Sequence, residues 1–450
     1  MEDKIGKVIK RIYVKVPIKL ETPLIIGSKD SYNADIEVLK DSKGIPFVPA
    51  SSLAGVFRDY LKQLSNYDKD VIGLMFGKDY GDYTMSCINI YDGFFVGDYK
   101  LRIRDGVKLN ERKASVKGSK YDYEIVETGA SFILRMELVI RDSYSMYEND
   151  FKRMLAQILY GLEKGQIFLG AKANRGFGYI SIDKNDLSIL ELDFKKDNNA
   201  WDKWINFDWE KFLPNIKSYM ELCDNDTLLN KTLYNRLVAE INICSSIMIR
   251  QYSKFSEGYP EVDYEHIKCN GKPVIPGTSW AGTIRQSSIM ILEELRRESL
   301  NVNVDKIIKD IFGYVEDEED EKASKASLVK IKESIIVDGD EKTRELLIQR
   351  VRIDRFTGGA MDTGLYNEKT QHFGKTKLEI LIRKNNDYVI GLLLLVLKEL
   401  NTGIAAIGGE TSIGRGLVKV NSISLDGEEV NDEREERYLR DLLKYLRGGN

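Results

Sequence analysis

The sequence predicts an α+β protein built from two tandem copies of one domain, and three observations support this. The segment that begins at Pro49, Pro-Ala-Ser-Ser-Leu-Ala-Gly-Val-Phe-Arg, returns at Pro276 as Pro-Gly-Thr-Ser-Trp-Ala-Gly-Thr-Ile-Arg. A glycine-rich segment follows each copy at nearly the same distance, Arg175-Gly-Phe-Gly178 and Gly414-Arg-Gly416. The predicted strands and helices also have the same order in both halves. Chance similarity does not preserve order and spacing, so we infer a duplication.

In the first repeat, residues 1–195, hydrophobic patterning predicts a strand, a helix after Pro49, further strands, a second helix and a closing strand (residues 12–20, 86–95, 131–140, 148–163 and 179–182). Ser51 or Ser52 is expected to cap the helix after Pro49. The second repeat, residues 233–430, has the same order (strands 237–248, 328–337, 376–382 and 417–420, a helix after Pro276 and a helix over 388–400). This βα…βαβ order predicts a ferredoxin-like, RRM-type antiparallel sheet with helices on one face.

Two segments lie outside the repeats. Residues 196–232 contain Trp201, Trp204 and Trp209, which is too aromatic for a disordered linker, so we expect a packed helical connector. Residues 431–450 are charged but have leucines at helical spacing. This pattern predicts an amphipathic helical tail that docks on the protein or binds a partner.

The composition excludes several classes of protein. The 450 residues suit two to three domains, and 42% hydrophobic with 31% charged residues is typical of a soluble globular protein. The first residues lack the layout of a signal peptide, and no apolar run is long enough to span a bilayer. The four cysteines form no CxxC pair, which argues against a zinc knuckle or a disulfide framework. We therefore expect a cytoplasmic protein with no membrane partner.

The charge is segregated along the chain. The net charge of −4 argues weakly against a nucleic-acid partner, but residues 100–120 and 342–355 are strongly basic, while the acidic excess lies in residues 316–321 and in the tail. Such segregation is typical of a binding site for a polyanion. A solvated charged face would explain either basic cluster taken alone.

The repeated segments contain candidate phosphate-binding groups. Helix starts direct backbone amides outward and favour phosphate. The candidate RNA-binding residues in the helix segments and glycine loops are Ser51, Ser52, Arg58, Lys172, Arg175, Thr278, Ser279, Arg285 and Arg415. Helix capping and close packing of small residues are the alternative explanation for the same segments.

Taken together, these segments resemble the RAMP superfamily of CRISPR effectors. The resemblance rests on the loop with Asp35 or Asp263, the Pro-x-Ser/Thr-Ser segment, the Phe-Gly pairs and the terminal glycine loop. It is closest to the backbone subunits of type III complexes, and two units in one chain resemble the tandem fusions of type III-D effectors. The resemblance implies guide RNA, complementary target RNA and other CRISPR effector subunits as partners.

Residues 351–366 are also similar to that family, which uses this region as a thumb between guide and target bases. The first repeat has a degenerate counterpart over residues 107–121. We expect both segments to form hairpins, with Arg352 and Arg355 binding RNA in the second. Cations, aromatic side chains and flexible glycines suit a strand that crosses between base pairs.

The resemblance also implies catalytic residues. In the family, an aspartate between the first strand and the Pro-x-Ser-Ser helix cleaves target RNA, and Asp35 and Asp263 occupy that place. RNA carries its own nucleophile, the 2′-OH, so the enzyme has to position it and stabilise charge. Because an exposed carboxylate is a poor base at neutral pH, we expect each aspartate to hold Mg²⁺ or a similar divalent cation. An ordinary loop carboxylate is the alternative.

Three further expectations concern the chemistry. Glu37 and Glu265 follow the aspartates in the same Asp-x-Glu pattern and are candidates for supporting the cation. His266 corresponds to Val38, and His372 is the only other histidine, which excludes a two-histidine ribonuclease mechanism in the first repeat. The leading hypothesis is metal-dependent cleavage of target RNA at two sites. The alternatives are a guide-RNA scaffold that does not cleave and, less favoured, a guide-processing endoribonuclease.

Overall fold

The computed structural model describes residues 6–28, 34–64, 66–77, 85–109, 115–223, 232–252, 262–297, 302–314 and 324–448. The chain forms two compact units. The first unit comprises Met1–Ile103, Tyr121–Ala173 and Phe177–Leu233, and the second comprises Arg104–Lys120, Asn174–Gly176 and Tyr234–Asn450. Residues 104–120 and 174–176 therefore belong to the second unit, although they lie within the first repeat of the sequence.

The first repeat contains nine described strands and, with the connector, four described α-helices. The strands are β1 (Val8–Leu20), β2 (Phe47–Val48), β3 (Ile88–Ile90), β4 (Gly93–Val96), β5 (Leu101–Leu109), β6 (Ser115–Val126), β7 (Ser131–Arg141), β8 (Ile180–Ser181) and β9 (Ser188–Asp193). The helices are α1 (Ala50–Gln63), α2 (Lys69–Phe76), α3 (Glu148–Glu163) and α4 (Ala200–Ile205). Strands β5 and β6 form a two-stranded sheet, and β6 also makes isolated bridges to Leu24 and Ile36.

The sheet of the first unit is ferredoxin-like. The long strand β1 lies at its centre and pairs antiparallel with β7 on one side and with β8 and β9 on the other, while β3 pairs with β7. The resulting order, β9–β1–β7–β3, is the fourth–first–third–second arrangement of a βαββαβ unit. Helices α1 and α3 pack on each other where Tyr60 accepts a hydrogen bond from Gln157 (2.9 Å) and its ring lies over Gly161.

The second repeat contains thirteen described strands and, with the tail, four described α-helices. The strands are β10 (Tyr234–Ile243), β11 (Ser246–Ile247), β12 (Arg250–Tyr252), β13 (Tyr264–His266), β14 (Lys268–Cys269), β15 (Lys272–Ile275), β16 (Val329–Ile331), β17 (Ser334–Ile335), β18 (Arg344–Ile353), β19 (Ala360–His372), β20 (Lys375–Arg383), β21 (Val418–Leu425) and β22 (Glu428–Glu429). The helices are α5 (Gly277–Arg297), α6 (Val304–Phe312), α7 (Asp387–Thr402) and α8 (Asp432–Gly448).

The main sheet of the second unit repeats the same arrangement. Its order is β16–β20–β10–β21–β22, so β21, β10, β20 and β16 take the positions of β9, β1, β7 and β3. The core is formed by alternate residues of β10 and β20 and by α5, α6 and α7; Trp280 of α5 is fully buried in it. A separate sheet contains β11, β19, β13 and β12, with β18 paired to β19. The prediction of two tandem ferredoxin-like domains is confirmed.

The connector is packed but only partly helical. Its described α-helix is the short α4, and Tyr219–Leu222 form a single 3₁₀ segment. The rest is irregular and packs through aromatic rings. Phe207 stacks on Tyr13 of β1 at 3.9 Å between ring centroids, and Trp209 meets Tyr13 edge-on at 5.5 Å. The aromatic content therefore predicted correctly that the connector is packed. The predicted helical structure is present only in part, because aromatic rings can pack on a sheet without a regular helix.

The tail is helical and docked within the second unit. Helix α8 packs on α7, where Gly391 allows close approach to the Tyr438 backbone and Tyr388 stacks on Tyr445 at 3.8 Å. Leu442, also on α8, is buried in the core. The tail was expected either to dock on the protein or to bind a partner, and in the structure it docks on the protein.

Candidate catalytic and RNA-binding residues

Asp35 lies where the first repeat's loop pairs in parallel with β6. The pairing is a single bridge between Ile36 and Tyr123. Two reciprocal hydrogen bonds hold the aspartate: its amide donates to Oδ1 of Asp122 (2.8 Å), and the Asp122 amide donates to Oδ2 of Asp35 (2.9 Å). Asp35 is exposed and Asp122 is half-buried. The structure therefore brings together two acidic residues, of which the sequence predicted only Asp35.

Asp263 has the same surroundings in the second unit. Its segment continues into β13, which pairs in parallel with β19 so that Tyr264 lies opposite Glu368. The Asp263 amide donates to the carbonyl of Asn367 (2.9 Å), and Oδ2 of Asp263 accepts a hydrogen bond from the Asn367 amide (2.7 Å). Asp263 is exposed. The neighbouring side chain here is an amide, so this place offers one carboxylate where the first repeat offers two.

Glu37 and Glu265, the glutamates predicted to support the cation, have different surroundings. Glu265 lies in β13, and its carboxylate is 3.5 Å from the ammonium of Lys268, which also pairs with Glu345. Glu37 is half-buried, and its carbonyl accepts a hydrogen bond from the Ser28 amide. A role for either glutamate in holding a cation remains a prediction.

The donor set decides what kind of cation site these residues fit. Within the ranges that the structure describes, no three His, Cys, Asp or Glu side chains are grouped so as to hold a metal ion. Mg²⁺ typically takes one or two protein carboxylates and completes its shell with phosphate oxygens and water. Asp35 with Asp122, and Asp263 alone, match that requirement. They fit a cation held jointly with RNA and not a cage built by the protein.

His266 is a structural residue. It is buried; its Nδ1 accepts a hydrogen bond from the Ile249 amide (3.2 Å), and its Nε2 donates to the Val274 carbonyl (3.0 Å). Burial lowers the pKa of His266 to about 4, so the ring is neutral near pH 7. With both ring nitrogens engaged by backbone groups, His266 is not placed for acid–base catalysis.

The helix starts are capped differently from the prediction. The N-cap of α1 is Pro49, with no side-chain cap, so the expectation that Ser51 or Ser52 caps this helix is wrong. The Asp92 carboxylate instead accepts a hydrogen bond from the amide of Ala50 (2.7 Å). An acidic side chain at a helix start satisfies an amide and repels phosphate. Phosphate binding by Ser51 and Ser52 remains a prediction, which Asp92 opposes.

The start of α5 has a simpler arrangement. The amides of Ser279 and Trp280 both donate to the carbonyl of Pro276, at 2.9 and 3.1 Å. Thr278 and Ser279 are half-buried, and Arg285, two turns into the helix, is exposed. RNA binding by Thr278, Ser279 and Arg285 remains a prediction.

Two glycines of the terminal loops are needed by the protein's own backbone. Gly178 and Gly416 have φ of 71° and 74°. A Cβ at Gly178 would lie 1.8 Å from the Leu169 carbonyl oxygen, and one at Gly416 would lie 1.9 Å from that of Ile407. These contacts account for both glycines without any approach of RNA.

Two predicted RNA-binding cations of these loops are engaged inside the protein. Nζ of Lys172 is buried and lies 3.9 Å from the ring centroid of Tyr123 and 4.3 Å from that of Tyr121. Arg415 is buried and pairs with Glu368 and Glu410. Neither residue has the exposed position that phosphate binding requires, and we do not assign them to an RNA-binding surface.

Other predicted cations lie at the surface. Arg175, Arg352 and Arg355 are exposed and Arg58 is half-buried. From the basic stretch over residues 100–120, Arg104 is buried and paired with Glu333, both residues belonging to the second unit. RNA binding by the four surface arginines remains a prediction.

Both predicted thumb segments are hairpins. In the second repeat, β18 and β19 form the hairpin, and Oδ1 of Asp354 holds its turn by accepting hydrogen bonds from the amides of Phe356 (2.9 Å) and Thr357 (2.8 Å). Phe356 is 99% exposed, and Ile353 and Leu365 beside the turn are also exposed. In the first repeat, β5 and β6 form the hairpin, and residues 110–114 at its turn lie outside the described residues.

Sequence reasoning missed Asp122 and Asn367, which hold the two aspartates. A weak signal existed, because Tyr121-Asp122 and Tyr366-Asn367 each pair a tyrosine with a short polar residue at matching places after the basic segments. Their spacing from the aspartates differs between the repeats. Only the parallel pairing with β6 and β19 shows that they correspond.

Comparisons with known proteins agree with the two-repeat architecture. Along the described chain, no helix has both the length and the apolar character needed to cross a membrane. No curated protein matches the sequence. The family model described as the RAMP superfamily matches residues 17–181 and 240–419, one region in each repeat and together most of the chain. Members of this superfamily are CRISPR-associated RNA-binding proteins. The chain belongs to the RAMP superfamily and contains two copies of its domain.

Proposed function

We propose that this chain is a guide-RNA-binding backbone subunit of a type III CRISPR effector that cleaves complementary target RNA at two positions. In this proposal Asp35 and Asp263 are the catalytic residues, and Mg²⁺ or a similar cation is the cofactor. The partners are guide RNA, target RNA and other effector subunits.

One observation carries the proposal. Asp35 and Asp263 are both exposed, both precede a parallel pairing with a hairpin strand, and both accept a backbone hydrogen bond from that strand. An ordinary loop carboxylate has no reason to keep the same anchor in two diverged copies. The shared anchor fixes each carboxylate next to a hairpin, which is where a target strand interrupted by that hairpin would lie.

Cleavage of RNA by its own 2′-OH requires few catalytic groups from the protein. The 2′-oxygen of a ribose attacks the adjacent phosphorus, the bond from phosphorus to the 5′-oxygen breaks, and the 2′-OH proton is lost while the leaving oxygen gains one. The products are a 2′,3′-cyclic phosphate and a 5′-hydroxyl. In-line attack needs the nucleotide to be turned out of the helix, so positioning and charge stabilisation dominate the rate.

The protein's residues would divide this work. Asp35, aided by Asp122, and Asp263 would hold the cation, with one oxygen of each catalytic carboxylate fixed by a backbone amide. When bound, a divalent cation supplies charge stabilisation to the phosphate oxygens. The exposed Phe356 at the turn of β18 and β19 would stack on a displaced base, and Arg352 and Arg355 would bind the neighbouring phosphates.

A scaffold that binds guide RNA without cleaving target is the second candidate. It needs only the fold and the surface cations, and it is compatible with the lack, within the described ranges, of three grouped metal-binding side chains. In this alternative the two aspartates only shape the loops in front of the hairpins. The guide-processing alternative is weakened by the buried, backbone-bonded position of His266.

Mapping of target-RNA cuts made by the assembled complex tests the proposal. We expect two cuts, each with a 2′,3′-cyclic phosphate end and each lost in EDTA. The variant Asp35→Ala should remove one cut and Asp263→Ala the other, each by at least about a hundredfold, with target affinity nearly unchanged because a catalytic carboxylate contributes little to ground-state binding.

The matched control is Asp186→Ala, which removes an exposed aspartate of the first unit that lies between β8 and β9, outside the hairpin strands. It should leave both cuts intact. If the double variant Asp35→Ala/Asp263→Ala still cleaves at the same positions, the nuclease assignment is wrong. If the wild-type complex binds target but does not cut, the scaffold function replaces it.

A further inference from the structure

A buried ionic layer lies behind the strand that holds Asp263. Glu368, the residue after Asn367, is fully buried. Its carboxylate is bonded by Arg415 from the glycine loop (Nη1 to Oε2, 3.2 Å) and by Arg350 from β18 (Nε to Oε1, 2.8 Å). Glu410 joins the layer through Arg415 at 2.6 Å. Strand β19 is thus fixed from the loop and from the neighbouring strand, one residue from the amide that holds Asp263.

The first repeat has a layer of different chemistry at the same positions. Alignment of the glycine loops places Phe177 at the position of Arg415 and Lys172 at that of Glu410, and both Lys172 and Glu410 have a φ of 59°. The parallel pairing places Tyr123 at the position of Glu368. Phe177 meets Tyr123 edge-on at 5.7 Å, and Lys172 lies over the Tyr123 ring. An aromatic cluster therefore replaces the ion pairs behind Asp122.

We propose that Glu368 and Arg415 are positioning residues for Asp263, and that Tyr123 and Phe177 do the same for Asp35. The inference rests on the proposed function for its effect on cleavage. Each layer ties the glycine loop to the hairpin strand and so fixes the backbone amide that bonds the aspartate. The four residues do not touch substrate; they act through the Asn367 and Asp122 amides.

Two features support this assignment over simple core packing. Each layer joins the same three elements, which are the glycine loop, the hairpin strand and the loop that bears the aspartate. The chemistry changed completely between the repeats, yet the bond from the strand amide to the aspartate was kept at 2.9 and 2.7 Å. Both repeats therefore keep the position of the hairpin strand, and each fixes it with different side chains.

The test uses Glu368→Gln and a rescue variant taken from the first repeat, Glu368→Tyr/Arg415→Phe. Glu368→Gln leaves the buried Arg415 without its full counter-charge. We expect the cut assigned to Asp263 to slow by about tenfold or more, as loss of outer-shell support does elsewhere, while the other cut and target affinity are unchanged. The rescue variant should recover most of the lost rate. Glu240→Gln, which breaks an exposed pair with Lys377 in the same unit, is the matched control.

A second readout does not depend on cleavage. Amide hydrogen exchange of the full chain without RNA should show faster exchange at Asn367 in Glu368→Gln, and recovery of the wild-type rate in the rescue variant. This readout holds even if Asp263→Ala leaves cutting intact, which would defeat the proposed function alone. Unchanged exchange at Asn367 would overturn the inference, as would equal slowing of both cuts or a folded rescue variant that recovers neither rate nor exchange.

Discussion

The two aspartate sites share a backbone and differ in nearly every side chain around it. Asp35 faces Asp122 and is backed by Tyr123 and the Lys172 ammonium, whereas Asp263 faces Asn367 and is backed by ion pairs. The backbone hydrogen bond from the hairpin strand to the aspartate is the same in both. The duplication therefore preserved the position of one carboxylate relative to one strand, while the side chains that fix this position diverged.

The two layers also differ in what maintains them. Buried ion pairs gain from close geometry but carry a large desolvation cost, so losing one partner is expensive. An aromatic cluster with a cation over its rings depends on area and on the ring quadrupole, and it tolerates small shifts. We therefore expect the second site to respond more sharply to single substitutions in its layer than the first.

The largest effect should come from removing one hairpin turn. Replacement of residues 354–364 by a short Gly-Ser turn should abolish the cut assigned to Asp263 and spare the cut assigned to Asp35, because the target strand would stay helical and its 2′-OH would be poorly placed for in-line attack. Cut mapping together with chemical probing of the bound target measures both effects.

The side chain at the hairpin turn offers a milder variant of the same experiment. Phe356 is almost fully exposed, so Phe356→Ala should slow the same cut without reducing stability. If the nucleotide opposite the hairpin loses its reactivity to the probe while cutting persists, the hairpin is not the element that activates the target.

Exchanging Asp122 and Asn367, the residues that face the two aspartates, should change the Mg²⁺ concentration that each site needs for cutting. Asp122→Asn gives the first site the residue set of the second, and Asn367→Asp does the reverse. We expect about a tenfold higher Mg²⁺ concentration for half-maximal cutting in the first variant and a lower one in the second, since a second carboxylate attracts the cation. Titration of Mg²⁺ with both cuts followed in one reaction measures this. Equal requirements in all variants would show that Asp122 is not a ligand.

Charge reversal at the surface arginines should have a moderate effect that is the same for both repeats. Arg175→Glu and Arg285→Glu should each weaken binding to unrelated guide RNAs alike and flatten the salt dependence by about one counterion. Arg297→Glu, at the far end of α5 and paired with Glu294, is the control and should change neither quantity. A variant that distinguishes guide sequences would show that bases are read at that arginine.

The smallest effect should be on the pH dependence of stability. It depends on His266, whose counterpart in the first repeat is Val38. The pKa of buried His266 is about 4, below its ordinary value of 6.5, so the unfolded chain takes up the proton first as pH falls. This histidine's stability contribution is complete above about pH 6.5 and is lost towards pH 4, by up to about 3 kcal/mol.

The variant His266→Val makes the second repeat match the first at this position. Urea unfolding of the wild type and the variant at pH 7, 6 and 5 should show a shallower loss of stability in the variant. The cost of the two missing hydrogen bonds lowers its stability equally at each pH, so the slope is the informative quantity. Identical slopes would mean that His266 is protonated alike in the folded and unfolded states.

Much of the fold could be predicted because the signals are local. Helix α3 was predicted with its full bounds, and the order of the main strands was predicted in the second repeat, since apolar periodicity reports which face of each element is buried. In the first repeat the predicted closing strand over 179–182 is only the two-residue β8, and β9 takes the fourth position of the sheet. Asp35 and Asp263 were predicted from the resemblance to the RAMP superfamily and not from periodicity. Capping at α1 was not predicted correctly, because Asp92, which bonds the first helical amide, comes from a distant strand connection.

The sequence alone determined the duplication and the ferredoxin-like order, because repeated motifs and periodic burial are visible in consecutive residues, and its resemblance to the RAMP superfamily pointed to the two aspartates. Only the tertiary structure decided which residues face those aspartates and that Arg415 is buried against Glu368 and not exposed to RNA. The reason is physical. Parallel pairing of a loop with a distant hairpin strand depends on register across the chain, and a basic residue in a glycine loop reads the same in sequence whether its charge meets a phosphate or a buried carboxylate.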